Sequence, residues 1–510
     1  MASAPSGEQL REALGTIDRL RAENQALKAE NQALKAQVEE LSTESRALKA
    51  ENGSLADRVS RLETEMNADS STTGKPPSSD PIGPRKKRAE RRAEARAEKR
   101  KQGKQPGSPG AKLERQEPDV VVPHQPSCCR ACHRDLAGAE VVGEVVRQVV
   151  DLPPVRPVVT DHIAYRYRCT CGTETLGDFP PEARAPVCFG PGVRTVATYM
   201  LDRQHVPVER TAELLSDLLG VKVSTGWLCN VQAEAARKLG PFLTWLKGRL
   251  LEEPVVHADE TGTAVLTTKY WVHTIATKLL ALVAVHRERG SEAVKSMAVL
   301  PGYTGTIVHD GYVSYPKLTN AEHAQCGAHL LRHLKGVARE EVFAACASAV
   351  AGVLMEAKAA SEAAAAAGQA AVDPELAERI RASYHAALGS VFELLPPGPK
   401  PRRRHTGGWS DAQRKAWNLA TRMRDRSGEV LRLLDDTRVP FDNNEAERTL
   451  RMVKLHDKIS GPFHSTDGAE AFAAVRSYLQ TAAKHNENLL GVLHMLFTTG
   501  PWVPAPTGPG

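Results

Sequence analysis

The chain has 510 residues, room for three or four units at roughly 150 residues per domain, and 41% of them are hydrophobic, enough for at least one sizeable core. No apolar run approaches the ~20 residues of a membrane-spanning helix (the longest lies near residues 279–285), and residues 1–9 hold no basic stretch followed by an apolar one, so neither a membrane role nor a secretory leader is expected and the chain reads as cytoplasmic. Lys and Arg exceed Asp and Glu by 67 − 61 = 6, and residues 85–104 alone hold eleven basic residues against three glutamates, so the basic excess is local and suited to a polyanion.

The first 66 residues carry a heptad seam. Leu20, Leu27, Leu34, Leu41, Leu48, Leu55 and Leu62 recur every seven residues, and Asn24, Asn31 and Asn52 stand three positions before three of them. Leucine at d with asparagine at a favours a parallel two-stranded coiled coil, because paired buried amides fix the register. A homodimer or higher oligomer is therefore expected through residues 1–66. Residues 67–120 shift to Ser, Pro, Gly, Lys and Arg, between TGKPPSSD and GKQPGSPG, and read as a basic disordered linker. Arg85, Lys86, Lys87, Arg88, Arg91 and Arg92 begin its basic run and are candidate phosphate contacts; a solubilising spacer fits the same composition.

Residues 121–185 hold Cys129-x2-Cys132 and Cys169-x-Cys171. Two short cysteine pairs, each in a tight turn, suit a structural zinc ion held by four thiolates, with Cys128 a competing ligand. Strand-like runs at 144–150 and 162–168 lie between and beside them. Cys188, Cys229, Cys326 and Cys346 are scattered and read as small buried apolar residues.

Within residues 186–250, the stretch PVERTAELLSDLLGVKVSTGWLCN (207–230) predicts a helix with Leu214, Leu215 and Leu218 on its apolar side, ending at Gly220, and a second helix opening near Ser224. This is the outline of a helix-turn-helix, whose second helix, beginning at Ser224 and Thr225, would enter a major groove. An ordinary pair of packed helices fits the pattern equally.

Strand patterns then follow at 255–259, 270–276 and 279–286, a helical stretch, and another apolar run at 305–310. Two of these runs end in an acid, Asp259 and Asp310, which places carboxylates at the edge of a mixed sheet. Residues 340–390 are alanine-rich and helical in character, and Pro401–His405 reads as a basic loop. The segment PFDNNEAERTLR opens a helix with Asp442 as N-cap and Glu445 completing a capping box, so Glu447 falls one turn in. Three carboxylates from two strands and a helix would bind hard divalent cations, which can activate a water or hydroxyl and stabilise the leaving oxygen of a phosphodiester. Glu260 and Glu445 compete for these roles, but strand alternation turns Glu260 away from Asp259, and Glu445 has its cap.

HADETG (257–262), HDGYVSY (309–315), CGAHLLRHL (326–334) and DNNEAERTLR (442–451), in this order and over nearly the whole chain, resemble the bacterial transposases of the insertion sequence sixty-six family. The resemblance implies a multidomain α+β protein: an N-terminal parallel coiled coil, a zinc-binding module, a helix-turn-helix region, and an RNase H-like α/β catalytic domain of the DDE type (251–335 and 436–497) with a helical insertion (336–435), before a disordered tail (498–510). It implies Asp259, Asp310 and Glu447 as catalytic acids holding Mg2+ (or Mn2+), and zinc on Cys129, Cys132, Cys169 and Cys171. Arg448, Arg451, Lys454 and Lys458 are similar to a basic run that holds DNA phosphates; a solvated helix face is the alternative. Cys326-x2-His329 resembles a motif following the second acid in related enzymes, and suits helix positioning better than zinc. Two departures stand out. Family members commonly carry Cys-x2-Cys where this chain has Cys169-x-Cys171, and a Trp where Gly327 stands. The implied function is DNA transposition: binding the terminal inverted repeats, cleaving phosphodiesters and joining 3′-hydroxyl ends to target DNA, with accessory proteins of the same element as possible partners. The competing expectation is a DNA-binding regulator without catalysis.

Overall fold

A computed structural model of the chain describes residues 114–153, 155–397 and 408–505, with seven positions between 15 and 37. Those seven are helical and exposed. The leucine seam otherwise lies outside the described residues, as do Arg85, Lys86, Lys87, Arg88, Arg91 and Arg92 in the expected linker, the basic loop at 401–405 and the last five residues of the expected tail.

The cysteine-bearing segment holds one hairpin, β1 (Arg166–Arg168) paired antiparallel with β2 (Glu174–Leu176), with Cys169 and Cys171 in its turn. The strand expected at 144–150 does not form: Val145, Val146, Val149 and Val150 are all exposed, with no apolar surface to alternate against. The strand expected at 162–168 shrinks to its last three residues.

Four helices follow: α1 (Pro191–Thr198), running into a π-helical turn, then α2 (Val208–Leu219), α3 (Thr225–Lys238) and α4 (Gly240–Glu252). The α2–α3 boundaries match the sequence pattern. Gly220 takes φ 68°, the left-handed conformation that closes a helix, and the Ser224 hydroxyl accepts the Trp227 N–H at 3.1 Å to cap α3. Leu215 is fully buried whereas Leu218 is exposed, so the apolar stripe of α2 is narrower than expected.

The sheet comprises β3 (Val255–Val265), β4 (Thr268–Ala276), β5 (Ala281–His286), β6 (Thr306–His309) and β7 (Glu322–Gln325), with a short helix α5 (Ser291–Ser296) between β5 and β6. Its order is β5-β4-β3-β6-β7; β4 runs antiparallel to both β3 and β5, while β6 and β7 run parallel to β3. β3 continues to Val265, so Asp259 sits in mid-strand and not at a strand end as expected. After β7 come α6 (Gly327–Val337), α7 (Glu341–Ala366), α8 (Pro374–Glu393), α9 (Asp411–Asp425), α10 (Asn444–Ile459), α11 (Thr466–Lys484) and α12 (Leu489–Phe497).

Two cores organise these elements. Leu215, Leu228 and Phe242 from α2–α4 share one cluster with Val256, Ala258 and Ile275 of the sheet and with Val475 and Tyr478 of α11, so packing runs unbroken past residue 250. Val350, Ile380, Tyr384 and Met423 centre a second core among α6–α9. Trp409 and Trp417 pack at its edge, which makes them core residues. The alanine-rich α7 has a mean hydropathy of 1.5 over its most apolar stretch, long and apolar enough by composition to cross a membrane and beyond the longest run expected from the sequence. Its Phe343, Val350 and Leu354 are buried in that second core.

Candidate active site and zinc module

Parallel pairing of β3 with β6 sets Val255 beside Thr306 and His257 beside Val308. Continuing that register by two residues brings Asp259 beside Asp310, and residues level on parallel strands project to the same face. The third acid comes from α10, which packs on β3 and β4. Asp259 is 8% exposed, and its carboxyl is held well above the ordinary range, first by burial, then by the charges of Asp310, Glu260 and Glu447. Three carboxylates thus share one field, and their mutual repulsion is what a cation would relieve. Only two bonds from the chain engage the first two acids among the described residues: the Glu260 N–H donates to Asp259 at 2.8 Å, and the Tyr312 N–H donates to Asp310 at 2.8 Å. Hard oxygen donors with free lone pairs suit a divalent cation.

Glu447 lies between an imidazole and a guanidinium. His329 Nδ1 is 3.7 Å from one carboxylate oxygen and Arg451 is 3.8 Å from the other. Burial lowers the basicity of His329, Asp310 and Glu447 oppose that shift, and its Nδ1 has no hydrogen-bond partner. Cys326, His329 and Glu447 place their ligand atoms within 4.8 Å of one another, the one such cluster among the described residues. The thiol, however, is pushed up to about 12 by burial and accepts the Asn443 N–H at 3.2 Å, so it stays protonated and serves the start of α10. This agrees with a positioning role for the Cys326-x2-His329 motif.

That start differs from the expected capping box. The N-cap is Asn443, and no side chain caps the helix. Asp442 accepts the Asn444 N–H at 3.1 Å instead, and Glu445 pairs with Lys484 and Arg448. Asn443 is drawn elsewhere: its amide nitrogen donates to the Ala258 carbonyl at 3.0 Å and its amide oxygen lies 3.0 Å from His257 Nδ1. Fully buried, it ties the helix bearing Glu447 to the strand bearing Asp259. Sequence reasoning missed it, because in DNNEAER the asparagine pair reads as ordinary capping chemistry. Arg422 of α9 was missed as well. Its guanidinium, half-buried and donating to His333 Nδ1 at 2.9 Å, feels the charge of Asp310, so α9 supplies a cation at the edge of the acid cluster.

Glu260 is turned to the opposite face, as alternation predicts, where Arg289 meets it at 2.8 Å and the Tyr315 hydroxyl donates to it at 2.6 Å. The basic residues of α10 divide. Arg448, Arg451 and Lys458 are exposed, but Lys454 is spent on the Gly262 carbonyl and Asp457. Ser224 and Thr225 are exposed, and the Ser224 hydroxyl is engaged as the cap of α3.

In the cysteine segment each pair sits in its own tight turn. The His133 N–H donates to the Cys129 carbonyl and the Gly172 N–H to the Cys169 carbonyl, both at 2.9 Å. The Cys129 thiol falls below its ordinary value, chiefly through the N–H groups of Cys132 and Ala131, and Cys171 falls to about 7 through hydrogen bonding with Thr173. Thiolates favoured in advance fit a zinc ion. The two pairs do not converge into one cluster among the described residues. Of the remaining cysteines, Cys326 and Cys346 are buried as expected, whereas Cys188 and Cys229 are exposed, a correction to the expectation that all four are core residues.

Acids from two strands and a helix, with a cysteine module ahead of them, define a transposase: residues 187–471, which contain the sheet and all three acids, match the family described as Transposase IS66 family. That match spans more than half of the chain, and the chain belongs to this family. Residues 126–172, holding both cysteine pairs, match the zinc-finger binding domain of transposase IS66, and residues 3–114 match a family of unknown function. The chain is also similar to a protein of Sinorhizobium fredii (strain NBRC 101917 / NGR234) named "Uncharacterized protein y4qI", 26% identical over 424 residues, which cover 76% of this chain and 73% of that one.

Proposed function

We propose that this transposase cuts and joins DNA strands at Asp259, Asp310 and Glu447, with Mg2+ (or Mn2+) as the ion they hold. The observation that carries the reading is the shared field of the three acids, in which Asp259 is raised by both Asp310 and Glu447. The strand order β5-β4-β3-β6-β7, antiparallel on one side of β3 and parallel on the other, supports an RNase H-like sheet, with α7–α9 as its helical insertion. When bound, divalent cations would activate the attacking hydroxyl and stabilise the leaving oxygen of the phosphodiester. The chain's own part is positional. Asp259 and Asp310 present their carboxylates from adjacent strands. Asn443 anchors the helix that brings Glu447 to them, and His329 lies 3.7 Å from one Glu447 oxygen. Water would first be the nucleophile at the transposon end, and the freed 3′-hydroxyl would then attack target DNA at the same site.

The partners follow from the same reading. The α2–α3 pair, with Ser224 and Thr225, and the zinc module on Cys129, Cys132, Cys169 and Cys171 would recognise the terminal inverted repeats. Arg85–Arg92 would add salt-dependent affinity, and exposed Arg448, Arg451 and Lys458 would contact phosphate. The leucine seam would pair two chains so that two ends meet.

Strand transfer with labelled end DNA in Mg2+, wild type beside Glu447→Gln, tests the reading. Joined product from the wild type alone is expected. Equal product from both would remove Glu447 from the site, and binding without any product from either would favour a regulator.

A further inference from the structure

We infer that Glu260, Arg289 and Tyr315 form a brace on the far face of the sheet that holds Asp310 in its metal-binding position. This inference rests on the proposed role of Asp310.

Register places the brace. In the antiparallel β3–β4 pair, Asp259 stands opposite Thr274, while Glu260 stands opposite His273 and Gly262 opposite Trp271. Glu260 therefore projects through the sheet from Asp259, onto the face shared with Trp271. Its side chain is 1% exposed, a costly place for a carboxylate unless it is paired and hydrogen-bonded. Both conditions are met by residues that lead back to Asp310. Arg289, arriving after β5, donates through Nε to one Glu260 oxygen at 2.8 Å. The Tyr315 hydroxyl donates to the other at 2.6 Å.

The loop from Asp310 to Tyr315 is thus fastened at two points to one ion pair. Tyr315, fully buried, grips Glu260 directly and stacks on His309 with ring centroids 5.0 Å apart. Tyr312 lies under the Arg289 guanidinium, 3.8 Å from ring centroid to cation, and the other neighbour of that guanidinium is Trp271 at 4.8 Å. The Tyr312 N–H in turn donates to the Asp310 carboxylate. Asp310 follows the last residue of β6, so no strand hydrogen bonds of its own fix it. Asp259 is fixed by the middle of β3; Asp310 needs another support, and the brace provides it. None of the three brace residues touches the reacting atoms. They are positioning residues, with Glu260 in HADETG, Tyr315 in HDGYVSY and Arg289 on the chain between the two motifs.

The test is Mn2+ binding to the full chain, followed by electron paramagnetic resonance of the free ion, with thermal melting alongside. Tyr315→Phe removes one hydroxyl and is expected to weaken Mn2+ binding by about tenfold, the usual scale for a group supporting a ligand. Arg289→Lys keeps the charge but loses the flat stacked grip, and is expected to act in the same direction; it stands in if Tyr315→Phe does not fold. Adding Glu260→Gln to Tyr315→Phe should cost less than Glu260→Gln costs alone, because the brace is already open. Asp310→Asn is the control. If Asp310→Asn weakens Mn2+ binding while Tyr315→Phe and Arg289→Lys lower melting but leave binding intact, the brace is overturned and the acid site stands. If Asp310→Asn itself has no effect on binding, the acid site and the brace fall together.

Discussion

The side-chain amide of Asn443 donates to the carbonyl oxygen of Ala258, the residue before Asp259 on β3, at 3.0 Å. One buried bond therefore sets the distance between the first acid and the helix that carries the third. Asn443→Ala would strand the Ala258 carbonyl and His257 Nδ1 in the interior, at a cost of about 1–3 kcal/mol. Denaturant unfolding should show that loss. Strand transfer should fall further than the stability loss accounts for, while binding to end DNA is retained. Equal loss of binding and joining would mean that the bond only supports the fold.

At Gly327 the space a side chain would take belongs to Phe441. A Cβ at residue 327 would lie 2.2 Å from the Phe441 ring, and the Gly327 N–H donates to the Phe441 carbonyl at 2.7 Å. Gly327→Ala is expected to destabilise by about 1–3 kcal/mol, as overpacking does. Combining it with Phe441→Ala should return part of that loss, which a double-mutant cycle in thermal melting would measure. Purely additive losses would show that the ring is not the obstacle.

How the sequence relates to this site differs element by element. Asp310 could be placed because it closes the apolar run that becomes β6, and Glu447 because a helix start could be read around it, whereas β3 runs on past Asp259 to Val265. The α2–α3 boundaries were legible because Ser224 and Gly220 act locally. What the sequence could not disclose depends on contacts far along the chain. Asn443 carries no signal of its own until β3, more than 180 residues away, claims its side chain. β7 has only four residues and gains its identity from pairing with β6. Conversely, the valine pairs near residue 145 are strand-like in composition, yet β-branched residues make a strand only where there is a surface to bury against.

His309 gives the site a pH signature. Its Nδ1 accepts the Gly311 N–H at 2.9 Å, which leaves Nε2–H to face His323 Nδ1 at 3.2 Å. Burial, then the charges of His323, Arg426 and Arg422, push it down to about 3 from an ordinary 6.5. The unfolded chain binds this proton more readily than the folded one, so the stabilisation is complete above about pH 6.5 and is lost as pH falls toward 3. Each pH unit in that window should cost up to about 1.4 kcal/mol for this residue alone. Denaturant midpoints between pH 7 and 4 should fall steeply for the wild type and less steeply for His309→Gln. Parallel acid limbs in the two proteins would show that other groups carry the effect.

The cysteine module makes the last prediction. Cys171 ionises near 7 and Cys129 below its ordinary value, and both effects arise inside their own turns, before any metal bridges the two pairs. Zinc binding then has little proton to displace at Cys171 near neutral pH, so Cys171 should add less than an ordinary thiol to the rise of affinity above pH 7. The purified chain is expected to hold about one zinc per molecule. Cys129→Ser, Cys132→Ser, Cys169→Ser and Cys171→Ser should each release it, and Cys128→Ser should not, because Cys128 lies outside both tight pairs. Metal content by atomic absorption distinguishes the five variants directly. Removing zinc with a chelator should expose Cys171 to iodoacetamide at a rate that titrates near pH 7, with strand-end binding falling in step while melting of the sheet-bearing core stays unchanged. Loss of metal from Cys128→Ser with retention in Cys171→Ser would reassign the fourth ligand and account for the shortened spacing of the second pair.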